Sequence, residues 1–209
     1  MGYNIKQNPD GSTALVNELN SVEVLTLDAD NNVSFASANK VTTPTLATEA
    51  GTGITTGTGT IVKTGVVNQG GIITTTMLLD ITGLSSNVVT DIIGKAATAN
   101  SNIGQLTTAL NGTILGGVMK CLEAPLTGEP DIDLWVADEA TGAEDTAITA
   151  LTNDQIIVTS DADWTLGLEK LVVAIPGDAQ YLYLVGGGGT TDAVYTAGKF
   201  LITFYGYVA

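Results

Sequence analysis

The sequence predicts an all-β protein: an antiparallel β-sandwich, jelly-roll-like, that carries an extended N-terminal arm and a β-hairpin. Three observations predict it. Gly is abundant at 25 residues and charged residues make up only 14%, while Thr recurs throughout; β-branched Thr stiffens strands and Gly supplies turns. Short runs of alternating apolar and polar residues succeed one another, separated by turn signals. No long stretch shows the 3.6-residue period of a helix. At 209 residues and 44% hydrophobic, the chain is large enough to bury a core and too apolar to be disordered.

The elements divide into two regions, 1–50 and 51–209. Residues 1–20, MGYNIKQNPDGSTALVNELN, are polar and aperiodic around an NPDG turn signal and read as an arm. Residues 21–41, SVEVLTLDADNNVSFASANKV, alternate on both sides of DADNN and read as a hairpin. A lone hairpin is marginal in water, so this one should lie against its own domain or a neighbouring chain. TTPTLATEA (42–50) reads as a linker.

Nine candidate strands then make up the body: 59–68, 72–83, 88–96, 102–107, 112–124, 131–137, 155–160, 180–186 and 198–208. Segments 142–152 and 164–174 are candidates for helical turns. Period-two alternation assigns faces: Tyr181, Tyr183 and Val185 oppose Leu182 and Leu184, and Ile132, Leu134 and Val136 oppose Asp131, Asp133 and Trp135. Ile73, Met77, Leu79 and Ile81 line one side of their run. Many short strands with no intervening helices favour two packed antiparallel sheets.

Charge narrows the function. Seven lysines stand against 22 acids, with no Arg and no His, for a net charge of −15. Nucleic-acid binding rests on cations that neutralise phosphates, so no nucleic-acid partner is expected. The missing His and Arg remove the commonest general base, the commonest zinc ligand and the bidentate anion clamp. Cys121, the single cysteine, sits among apolar neighbours and reads as a buried structural thiol. No long apolar run predicts a membrane span, and the N-terminus lacks the apolar core of a signal peptide.

The glycine-rich stretches do not match phosphate loops. In AGTGITTGTGTIVKTGV (50–66), Lys63 is not preceded by Gly, and the glycine spacing misses the dinucleotide fingerprint. This stretch reads as a flexible junction leading into the first strand of the body. The run Gly186–Gly189 reads as a mobile surface loop, with close packing at a subunit contact as the alternative. The acids of EPDIDLWVADEATGAED (129–145) lack an EF-hand order and read as a solvated rim, as do Asp154, Asp161 and Asp163; calcium is the alternative. Glu123 and Glu139 are nominal partners for a glycan hydrolase, though nothing in the spacing places them opposite each other. The late aromatics read as core. No catalytic, metal or cofactor residues are nominated, and the protein is read as no enzyme.

The phrases GTGITTGTGTIVKTGVV, GGIITTTMLLDITGL, GTILGGVMKCLEAP, DIDLWVADEATGAEDTAI and YLYLVGGGGTTDAVYTAGKFLITFYGY, spread over residues 50–209, together resemble the capsid decoration (cement) proteins of tailed bacteriophages, marine ones especially. LTLDADNNVSFAS is similar to hairpins of phage fibre and shaft proteins. The resemblance implies a virion structural protein on the outer surface of the capsid, bound to the major capsid protein at capsomer seams and assembled as a homotrimer. The alternative is a glycan-binding or receptor-binding head of a tail fibre. On the decoration reading, the candidate capsid and subunit contacts are Tyr3, Ile5 and Lys6 on the arm and Val22, Val24, Leu25, Leu27, Val33 and Phe35 on the hairpin.

Overall fold

The structure, a computed structural model, describes residues 3–7, 13–17, 23–27, 33–35, 49–55, 60–86, 88–189 and 191–208. The chain is nearly all antiparallel β and falls into two compact units, Met1–Thr43 and Pro44–Ala209.

The first unit holds four short strands, β1 (Tyr3–Gln7), β2 (Thr13–Asn17), β3 (Glu23–Leu27) and β4 (Val33–Phe35). They pair in chain order as one antiparallel sheet. The pairing of β3 with β4 is the expected hairpin. The expected arm is different: residues 3–7 and 13–17 form two further strands paired Tyr3 to Asn17 through Gln7 to Thr13. Asn, Gln and Thr dilute the alternation of Tyr3, Ile5 and Leu15, so the runs look aperiodic although backbone pairing needs no apolar side chain.

In the second unit, two larger sheets share one buried cluster. The five-stranded sheet contains β5 (Ile61–Gln69), β6 (Ile72–Asp80), β9 (Thr113–Leu126), β12 (Glu169–Leu171) and β15 (Ala197–Tyr207), in the order β12-β9-β15-β6-β5. The four-stranded sheet contains β8 (Gly104–Leu106), β10 (Ile132–Ala137), β11 (Gln155–Val158) and β13 (Gln180–Gly186), in the order β11-β10-β13-β8. A small ladder joins β7 (Ser85–Ser86) to β14 (Ala193–Val194). Strands β5 and β6 meet at Gly70 and Gly71, whose φ values of 64° and 90° give the doubly left-handed turn that a two-residue hairpin uses.

The shared core is built by alternation. Met77 and Leu79 of β6, Met119 and Cys121 of β9, and Phe200, Ile202 and Phe204 of β15 are all buried from one side. Ile132, Leu134 and Val136 of β10, with Leu182 and Leu184 of β13, are buried from the other. Trp164 ties the sheets together. Its ring meets Phe200 edge to face at 5.3 Å, and its indole N–H donates to the Ile132 carbonyl at 2.7 Å, which satisfies the polar tip of a buried aromatic. The sheets are also linked along one flank: Val172 N–H donates to the Gly117 carbonyl at 2.9 Å, and Val173 N–H to Ile157 at 2.8 Å.

Three sequence expectations are revised here. Residues 88–96 form no strand, only isolated bridges at Asp91, Ile92 and Gly94, because positive φ at Thr90 and Ala97 bounds the extended stretch closely. Segment 164–174 supplies β12 instead of a helical turn, whereas 142–152 does hold a 3-10 turn at Ile148–Ala150. The described part of the glycine-rich start of the body, residues 50–55, is no loose junction; residues 56–59 lie outside the described residues. Residues Thr52–Thr55 form a helical turn, α1, with Ile54 fully buried. Gly51 and Gly53 N–H groups donate to the carbonyls of Asn102 and Asn100 at 2.8 and 3.0 Å. A Cβ at Gly51 would collide with the Asn100 carbonyl, so close backbone approach requires glycine there.

Candidate interaction surfaces

The nominated contact residues lie in the first unit. Register places Ile5 beside Leu15, Leu15 beside Leu25, and Leu25 beside Phe35, so one apolar row crosses all four strands. Tyr3 pairs with Asn17 at the end of the first ladder, and Leu27 pairs with Val33. Lys6 falls on the opposite face, with Ala14, which is buried. Val24 is the extra residue of a bulge, because Leu15 pairs with Leu25 but Val16 with Glu23. Val22 lies outside the described residues. Ile5 is 78% exposed. Leu15 was missed by sequence reasoning, although the ten-residue recurrence of Ile5, Leu15, Leu25 and Phe35 was a signal for it.

A second surface is the outer side of the five-stranded sheet, which no sequence argument singled out. Residues opposite the core on adjacent strands form rows. One runs Leu171, Val118, Thr203, Thr76, Gly65, and the next Glu169, Lys120, Leu201, Leu78, Lys63. Leu171, Val67 and Tyr205 are well exposed, and Leu78 is more than a third exposed. Lys120 pairs with Glu169 at 2.6 Å, and Lys199 pairs with Glu123 and, at 3.9 Å, with Asp80.

The outer side of the four-stranded sheet is closed. Trp135, Ala137, Tyr181, Tyr183 and Val185 lie under Ile92, Ile148 and Leu151. The Tyr183 hydroxyl donates to the Glu139 carbonyl at 2.5 Å and accepts from Gly142 N–H at 3.2 Å. Burial pushes this phenol up to about 12, so it stays a donor.

Next to this roof three of the acids depart from the solvated rim expected of them, whereas Asp138, Asp145, Asp161 and Asp163 are exposed as expected. Glu129 and Asp133 are buried, and the Gly187–Gly189 backbone lies so close to Asp131 and Glu129 that a Cβ would strike their carboxylates. The run is therefore closely packed within its own chain. Ser160 N–H donates to Asp133 at 2.9 Å, and the Ser160 hydroxyl bonds Asp131. Burial raises the Asp131 carboxyl above its ordinary value, and the charges of Asp133, Glu129, Asp163 and Asp161 push it the same way. Burial likewise raises Asp133, against the lowering effect of the Ser160 backbone bond. Among the described residues, no group of three or more acids or thiols is arranged to hold a metal ion.

The nominal glycosidase pair is not brought together as one site. Glu123 on β9 is held by Lys199 on β15, while Glu139, beyond β10, accepts from Thr152 N–H at 2.8 Å. Cys121 is fully buried, and burial raises its thiol, which keeps it in the unreactive protonated form. No helix among the described residues is long and apolar enough to cross a membrane. No protein-family model, curated protein or solved structure matches the chain.

Proposed function

We propose that the protein is a structural component of a tailed-phage virion that decorates and cements the capsid, working by binding alone. On this reading the body is a jelly-roll-like sandwich projecting outward, and the first unit grips the major capsid protein and sister subunits at capsomer seams, as a homotrimer. The observation that carries the proposal is the four-stranded sheet with its apolar row Ile5–Leu15–Leu25–Phe35. A small sheet that carries apolar residues in register is stable only when they are covered, and Ile5 is exposed. Threefold attachment would multiply affinity, since a subunit that loses one contact is held by two others. The net charge of −15 accords with a protein that works outside the packaged nucleic acid.

The test is attachment to purified capsid shells that lack the protein. The full chain is expected to bind at a fixed ratio to the capsid subunit, in hundreds of copies per particle. A chain without residues 1–40 is expected to stay folded and to lose attachment. Stoichiometric binding by the shortened chain would overturn the assignment of the grip to the first unit. A full chain found in only tens of copies at a fibre tip would replace decoration by the receptor-binding reading.

A further inference from the structure

The bare side of the five-stranded sheet has features that suit a second copy of itself. Its charges are Lys63, Lys120 and Lys199 against Asp80, Glu123 and Glu169. Three cations balance three acids, so the net −15 of the chain lies entirely elsewhere. Two copies of so acidic a protein repel one another over most approaches and meet here without that penalty.

The balance is also ordered across the sheet. In the row Glu169–Lys120–Leu201–Leu78–Lys63, an acid stands at the β12 edge, a lysine at the β5 edge and two leucines between. Among the described residues, no carboxylate pairs with Lys63, whereas Lys120 and Lys199 both have ion-pair partners. β15 is the middle strand. A two-fold axis parallel to it would lay each row on its own reverse, so Lys63 of one copy faces Glu169 of the other, twice per pair, and Leu201 faces Leu201. In the adjacent row the same operation sets Leu171, 71% exposed, over Gly65, where there is open space above the backbone. A projecting side chain thus meets a gap, and an unpaired cation meets an acid, under one symmetry operation.

We infer that this face is a homotypic interface, in which two bodies stack sheet on sheet about a two-fold axis along β15. Such an isologous contact uses one self-complementary patch twice. It would form in the aligned manner of packed sheets, about 10 Å apart. The inference is independent of the capsid reading, because it concerns the free protein and the body alone.

Zero-length carbodiimide cross-linking of the full chain in solution tests it, with the linked peptides identified by mass spectrometry. Within one chain, Lys63 and Glu169 stand four strand spacings apart, about 19 Å, so a bond between them reports two copies. The Lys120–Glu169 pair at 2.6 Å serves as the internal control for the reagent. The expected result is a Lys63–Glu169 link confined to the cross-linked dimer. Lys63→Glu and Leu171→Asp, both at exposed positions, are expected to weaken association at least about tenfold while leaving the melting temperature of dilute protein unchanged. A monomeric chain overturns the inference. So does an oligomer that yields the control link without the Lys63–Glu169 link.

Discussion

The two large sheets are built by the same alternation and differ in what lies on their second face. Each gives one face to the shared core. The four-stranded sheet hides its other face as well, with Tyr183 and Val185 roofed by Ile92 and Ile148. The five-stranded sheet leaves Tyr205, Leu78 and Leu171 in solvent. Antiparallel sheets commonly have one solvated face, and then it is usually polar. Large exposed apolar patches commonly belong to interaction sites, and on the homotypic inference this one would take a second copy of the body.

Substitutions can break or sharpen that comparison, and the largest effect belongs to the doubly covered sheet. Leu184→Ala removes a fully buried side chain and is expected to destabilise by about 2–5 kcal/mol in denaturant titration. A loss below about 1 kcal/mol would mean that the two sheets do not share a tight core. Next is Gly51→Ala, where the added methyl meets the Asn100 carbonyl; about 1–3 kcal/mol is expected from overpacking, and a neutral result would return residues 50–55 to a loose junction. Tyr183→Phe deletes the hydroxyl that holds Glu139 and Gly142 and should cost about 1–3 kcal/mol, because buried backbone groups lose their partner.

Asp131→Asn is expected to act in the opposite direction. The folded-state pKa of Asp131 lies above its ordinary 3.8, so the folded protein holds this proton more tightly than the unfolded chain does. Stability therefore falls as pH rises from 3.8 through the raised value, and acidification restores it. The Asn variant should melt higher than the natural protein at pH 7, with the difference shrinking towards pH 4. A variant that melts lower at pH 7 would show that the Ser160 bonds outweigh the crowded charges. The smallest effect is expected on the bare face: Tyr205→Ser should change the stability of dilute protein by no more than about 0.5 kcal/mol.

How far the sequence revealed this architecture depends on how local each signal is. The alternation of Leu182 and Leu184 against Tyr181, Tyr183 and Val185 was legible, as were Cys121 in the core and the hairpin at β3 and β4. What covers a second face was not. Period two says that a strand has two sides, and the roof over Tyr183 comes from residues 92 and 142–151, distant in sequence. For the same reason Glu129 and Asp133 read as a rim: only the fold brings Gly187–Gly189 and Ser160 down onto them. In the first unit, polar side chains masked the pairing of β1 with β2, although the recurrence of Ile5, Leu15, Leu25 and Phe35 was present in the sequence.

The central claim is that the uncovered apolar sheet face is there to be covered by a neighbour. Sedimentation equilibrium of the full chain beside a Leu78→Glu/Tyr205→Glu variant tests it most directly. The account predicts that the natural chain self-associates at micromolar concentration, and that the variant shifts to smaller species with its far-UV spectrum intact. A natural chain that sediments as a monomer at every concentration, or a variant that associates as strongly as the natural protein, would contradict it.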